Sequence, residues 1–221
     1  MAHTNALANE LIRKLSPPDQ ALLMRRCVRV QLEAGTVLST PNSPSSFVYF
    51  LAGSSVAQVV RNEMAHDAPS LAVGLIGNEG AVGLQRTMGM GAGVLTLEVQ
   101  TSGDALQIEA LKLGQLIERK PSILLMLCRY LWTSSQEMAV MAAQIQTHDV
   151  YRRLAGWIAL SALRVGDSAL HLTHIHLAHM LGVRRASVSD AAIQLKTQGL
   201  IEYKRGRVLI LDLDGLRATA L

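Results

Sequence analysis

Two clusters near the C-terminal end of the chain have residue types and spacing suited to recognition chemistry. The first is Arg184, Arg185, Ser187 and Ser189, with Thr173 ahead of it; the second is Lys204, Arg205 and Arg207. Guanidinium and ammonium groups at this density match phosphate oxygens, and a guanidinium can also bond both acceptors on the guanine edge at once. Arg185 is therefore the expected base reader. Thr173, Ser187, Lys204, Arg205 and Arg207 are expected at phosphates, with Arg184 and Ser189 on the same surface. The charge distribution agrees: residues 1–147 hold 11 basic and 11 acidic side chains, whereas residues 148–221 hold 10 and 6, so the whole net charge of +4 lies in the last third. Cations displacing condensed counterions are what a nucleic-acid partner rewards.

The elements that must position these groups can be read from the flanking pattern. Thr173 is a good N-cap, Leu177, Ala178 and Leu181 follow at helical spacing, and Gly182 sits where a helix ends in a left-handed residue. A second helix is expected from about Arg184, with Val188, Ala191, Ala192 and Leu195 on its inner face and Gly199 as its stop. That face is opposite to Arg185, Ser189 and Ile193. Two short helices joined by a glycine-containing turn make a helix-turn-helix. The β-prone runs Leu200–Tyr203 and Val208–Leu211 then flank the basic tip as a wing.

In Leu172-Thr173, Leu177-Ala178, Leu181 to Arg185, Val188, Leu195, Gly199 to Ile201 and Arg205-Gly206, this segment resembles the winged helix of the Crp/Fnr superfamily of bacterial transcription regulators. The resemblance extends over nearly the whole chain. It implies an α+β protein: an N-terminal β-roll, a double-stranded β-helix like that of cyclic-nucleotide-binding domains, then a long dimerisation helix and a C-terminal winged helix-turn-helix. The corresponding boundaries are 1–120 for the sensing roll with its N-terminal helices, 121–148 for the dimerisation helix and 149–221 for the DNA-binding head. The resemblance further implies a homodimer on double-stranded DNA with a two-fold operator, RNA polymerase as a partner, and a cytoplasmic location.

The residues before the head fit that plan. Helical spacing covers 5–15 (Leu7, Leu11, Ile12, Leu15) and resumes over 19–26 after Ser16-Pro17-Pro18; from Cys27 to Ala110 the pattern changes to seven or eight short β-rich runs broken by glycine and proline. In the resembled family the cyclic-AMP binders carry a Glu after the glycine at the Gly83 position and an Arg about ten residues on. Here those places hold Leu84 and Val94, with Arg86 the only cation nearby. A cyclic phosphate buried without a guanidinium would cost several kcal/mol, so cyclic AMP is not the expected effector, and no other effector is indicated.

Lys112–Arg119 reads as a short helix before Pro121. Beyond it Leu124, Leu127, Leu131, Ser134, Met138, Met141, Ile145 and His148 alternate spacings of three and four. A repeat that holds to 3.5 predicts pairing with a second copy. A parallel pair carries two heads to half-sites about one DNA turn apart. A break between Thr147 and Asp149 is the expected hinge, and Asp149 caps the helix that follows it.

Other chemistries are poorly supported. Cys27 and Cys128 are far apart, without a CxxC, and the N-terminal cysteines that ligate an iron–sulfur cluster in the oxygen-sensing branch are missing. His171, His174, His176 and His179 cluster, but no Cys or carboxylate nearby in sequence completes a tetrahedral set, so no metal or other cofactor is expected. A cupin would need more ligands than His66 beside Asp67, and there is no GxSxG, P-loop or dinucleotide-binding glycine pattern, so no enzymatic activity is expected. No run of 18 apolar residues and no signal-like N-terminus occurs. The alternative reading is a haem, gas or small-ligand sensor acting through protein contacts, with His148, Cys128 and Met138 as potential axial ligands. Ala186 and Asp190 stand where better-known family members place a base-reading Glu and Arg, so their operator sequences do not transfer.

Overall fold

The structure, a computed structural model, describes residues 9–61, 70–91, 93–204 and 206–221. Expectations for Leu7, His66, Asp67 and Arg205 fall outside the described residues. Eight strands, β1 (Val28–Leu32), β2 (Val37–Ser39), β3 (Phe47–Ala52), β4 (Ser55–Val60), β5 (Leu71–Ile76), β6 (Ala81–Val82), β7 (Thr96–Thr101) and β8 (Gly103–Glu109), form two antiparallel four-stranded sheets. The strand orders are β1-β8-β3-β6 and β2-β7-β4-β5, and together the sheets make the roll. β3 is apolar without alternation because both its faces are covered: Val48, Phe50 and Leu51 are fully buried and share a core with the helices. Gly83 has φ +85° and a Cβ there would collide with the Phe47 carbonyl oxygen, so this turn requires glycine.

The N-terminal helices α1 (Glu10–Arg13) and α2 (Pro17–Met24) are fastened to the roll by a buried polar residue. Asn9 caps α1, accepting from the Ile12 N–H at 3.1 Å, while its amide donates to the carbonyls of Leu51 at 3.0 Å and Gly80 at 2.7 Å. After α3 (Ala110–Arg119), Pro121 opens α4, 27 residues from Pro121 to Thr147 and so about 40 Å long.

The face α4 turns inward differs from the 3.5-residue repeat. Ile123, Met126, Leu127 and Tyr130 pack into the roll core, and the Tyr130 hydroxyl donates to the Ala81 carbonyl at 2.9 Å. Leu127, placed by spacing on an intersubunit seam, is fully buried in its own chain and is not available to a partner. Ser134, Met138, Met141 and Ile145 are half-buried and line a cavity with β5 and the next helix. Leu124 and Leu131 are exposed, and with Leu125, Cys128 and Trp132 they form an outward apolar stripe.

α4 ends at Thr147, His148 is extended, and the Asp149 carboxylate accepts from the Arg152 N–H at 2.9 Å to start α5 (Val150–Val165). The remaining elements are β9 (Ala169–His171), α6 (His174–Leu181), α7 (Arg185–Thr197), β10 (Ile201–Lys204), β11 (Arg207–Ile210) and α8 (Leu213–Thr219). Their core is continuous with one face of the roll, since Ala57, Val59, Ala72 and Leu75 belong to the same cluster as Leu154, Trp157, Leu177 and Leu195. Buried hydrogen bonds cross that junction. Gln100 of β7 accepts from the Trp157 indole at 2.8 Å and donates to the Ser161 hydroxyl at 3.0 Å. Arg164 donates to the Leu75 carbonyl at 3.0 Å and pairs with Glu137 at 2.6 Å and Glu79 at 3.4 Å, tying β5, α4 and α5 together. Among the described residues no helix is long and apolar enough to cross a membrane.

Candidate DNA interface

The helix-turn-helix is fixed by short-range chemistry. The Thr173 hydroxyl oxygen accepts from the His176 N–H at 3.1 Å to start α6, and Gly182, at φ +64°, turns the chain so that the Val183 N–H bonds the Ala178 carbonyl at 3.1 Å. α7 buries Val188, Ala191, Ala192 and Leu195, each at most 4 % exposed, against α5 and α6. Its other face is open: Arg184, Arg185, Ala186, Asp190 and Ile193 are exposed. Arg184 occupies the N-cap without a side-chain cap, which leaves first-turn N–H groups of α7 unbonded beside two guanidinium groups. The wing is a three-stranded sheet in the order β10-β11-β9, with Arg207 opposite His171; β9, like α8, has no counterpart in the sequence reading.

A polar network that spacing did not reveal joins the parts of this surface. His174, the first residue of α6, lies with Nδ1 2.8 Å from the Ser189 hydroxyl, and Ser189 donates to the Arg185 carbonyl at 3.1 Å. With the single hydroxyl proton directed at the Arg185 carbonyl, a protonated His174 Nδ1 completes the network as donor to Ser189. Its ring packs on Tyr203 of the wing with centroids 4.3 Å apart, and the Tyr203 hydroxyl donates to the Leu172 carbonyl at 2.7 Å. Ser189, expected on the reading face, thus contacts both the start of α6 and the backbone of Arg185. The only sequence signal was a His beside the N-cap and an aromatic residue in the wing strand.

Ser187 is half-buried near the start of α7. Lys204 is exposed but forms an ion pair with Glu202 at 2.8 Å, which raises the pKa of its amine and lowers that of the carboxyl. Arg207 is exposed and, like Arg184 and Arg185, has no ion pair among the described residues. Gly206 approaches Thr173, so the wing tip, the start of α6 and the first turns of α7 share one surface.

The histidine cluster does not converge. Among the described residues no group of three or more His, Cys, Asp and Glu side chains is arranged to hold a metal ion. His171 and His179 are exposed, while His174 and His176 each have a buried Nε2 without a partner. Burial holds both rings below the ordinary histidine pKa of 6.5; Arg185 lowers His174 further, and at His176 nearby Glu98 opposes the burial while His179 adds to it. Since the folded pKa lies below the unfolded one, the unfolded chain takes up protons that the head refuses. The stabilisation is complete above pH 6.5 and is lost as pH falls below it. The urea midpoint is expected to drop between about pH 7.5 and pH 5.5, and a His174→Asn, His176→Gln variant should show a flatter profile in the same titration.

The residues that other ligands would need are dispersed. Leu84 is buried in the roll core, Val94 is exposed, and Arg86 is exposed in a 3-10 turn, so none offers a buried cation to a cyclic phosphate. Cys128 lies on the outward side of α4, whereas Met138 and His148 line the cavity beside α5, separated by about 15 Å of helix rise. The three are therefore separate sites on this chain rather than one ligand set.

Residues 152–219 match the model of the Crp-like helix-turn-helix domain. A crp/fnr-family protein from Eubacterium rectale ATCC 33656 has a similar structure at 16 % identity, TM-score 0.68, over 96 % of this chain and 98 % of that one. The c-di-GMP responsive global regulator CLP of Xanthomonas campestris is similar at 17 % identity, TM-score 0.69, over 88 % and 99 %. A CRP-family transcriptional regulator from Thermus thermophilus is similar at 20 % identity, TM-score 0.68, over 86 % and 96 %. No curated protein matches the chain in sequence. Residues 152–219 are thus similar to the Crp-like helix-turn-helix domain, and over nearly its whole length the chain shares the fold of these three solved structures.

Proposed function

We propose that this protein is a homodimeric, sequence-specific DNA-binding transcription regulator, not an enzyme, acting in the cytoplasm with RNA polymerase and modulated by an effector other than cyclic AMP. The single observation that carries this reading is the exposure of Arg184, Arg185 and Arg207 on one surface built from α7, the start of α6 and the wing. Base reading is assigned to Arg185, and phosphate contact to Thr173, Arg184, Ser187, Lys204 and Arg207, with Arg205 joining them from the wing tip. A genomic footprint of the purified protein tests it. Bound fragments should share a two-fold motif with half-sites about one helical turn, some 34–36 Å, apart. Fragments without a common two-fold motif would overturn the proposal.

Dimerisation is assigned to the outward stripe of α4, with Leu124 and Leu131 retained from the heptad pattern and Cys128 and Trp132 between and beside them. The two kinds of leucine separate by experiment. Leu131→Glu is expected to give a folded monomer by light scattering, because it places a carboxylate on the apolar stripe. Leu127→Ala should remain a dimer yet lose about 2–5 kcal/mol in urea unfolding, the cost of emptying a core position. A dimer that survives Leu131→Glu would remove this face from the interface.

A further inference from the structure

A cavity of about 750 Å³ lies beside the hinge, outside the interior of the roll. Its walls are Met138, Met141 and Ile145 of α4, Ala72 and Gly74 of β5, and Leu160 of α5. That volume and apolar character suit a small organic molecule. Its charged side chains do not balance. Glu137 is taken by Arg164 at 2.6 Å, and Asp214 by Arg217 at 3.6 Å. Arg152 and Arg153 also line the cavity, and neither has an ion pair among the described residues. Arg152 is exposed, but Arg153 is half-buried: its guanidinium donates to the Leu181 carbonyl, and burial alone lowers its pKa. A half-buried planar fork with unused donors and one uncompensated charge calls for one carboxylate.

We infer that this cavity is a binding site for an amphipathic monocarboxylate, its apolar chain among Met138, Met141, Ile145 and Leu160 and its head group on Arg153. The site touches both arms of the hinge, since His148, which joins α4 to α5, is also in its wall. An occupant that prefers one angle between those helices shifts the population of head positions. This regulatory consequence rests on the proposed function; the binding does not.

Calorimetry on the full chain with decanoate, below its micelle concentration, tests the site, with 1-decanol as the neutral counterpart. Decanoate should bind once per chain and more tightly than decanol. Arg153→Gln should weaken decanoate at least tenfold and leave decanol unchanged, as loss of a charge-assisted pair requires. Met141→Trp, which narrows the apolar part of the cavity, should weaken both, and an unchanged circular dichroism spectrum shows that it folds. No saturable decanoate heat at millimolar concentration, or binding indifferent to Arg153→Gln, would overturn the site. Binding that follows the expected pattern while affinity for the footprinted DNA stays constant would uphold the site and refute only its regulatory role.

Discussion

Replacing Gln100 by alanine is expected to destabilise the chain by about 2–4 kcal/mol, through an orphaned indole N–H and a lost bond to a buried hydroxyl. Few side chains have as much depending on them. Gln100 is 2 % exposed on β7, Trp157 4 % and Ser161 fully buried on α5, so water cannot replace what the amide supplies. Ser161 keeps its donation to the Trp157 carbonyl at 2.7 Å, whereas the Trp157 N–H has only Gln100. The loss falls on the junction between roll and head, because the pair belongs one to each. Urea unfolding measures the total, and amide exchange along α5 should accelerate more than exchange in β3. Gln146→Ala, on the exposed side of α4, should change stability by less than about 0.5 kcal/mol. Equal effects from the two variants would mean that the head does not depend on the roll for its stability.

That junction also marks where reading the sequence stopped being sufficient. The helix-turn-helix was legible because its signals are local: Thr173 as a cap, Gly182 and Gly199 in left-handed conformations, and an apolar face at helical spacing each act within a few residues. The roll strands were legible for the same reason. β6, two residues long, and β9, three, carry too little pattern to register. The Gln100–Trp157–Ser161 and His174–Ser189–Arg185 networks join residues up to 61 positions apart, and no periodicity announces such pairs.

The repeat on α4 meets different surroundings along its length for a more instructive reason. Positions repeating every 3.5 residues drift by about 20° per heptad on a straight helix, hence by roughly 60° over three heptads. Leu124 and Leu131 therefore begin on the outward side while Met141 and Ile145 end at the cavity wall, and Leu127, one step around, falls into the core. One apolar repeat thus serves two surfaces. The sequence shows that α4 has much to bury, but the straightness of the helix and the packing of the roll decide against what.

Arg185→Ala is expected to reduce affinity for the footprinted operator about 10- to 100-fold, the 1–3 kcal/mol of a bidentate base contact, with little change on scrambled duplex. The guanidinium is suited to this because nothing among the described residues competes for it: it is exposed, has no ion pair there, and its backbone carbonyl is bonded by Ser189, which in turn contacts His174. The wing cations should behave differently. Arg207→Ala removes a free charge from the surface proposed to face phosphate, so it should weaken operator and scrambled DNA alike and lower the salt slope by about 1. Lys204→Ala should do less, since a phosphate must first displace Glu202 from the ammonium group at 2.8 Å. Fluorescence anisotropy across a salt titration separates the three variants. If Arg185→Ala weakened both duplexes equally, Arg185 would be one more phosphate contact, and specificity would have to come from Ile193, Asp190 or the shape of the DNA.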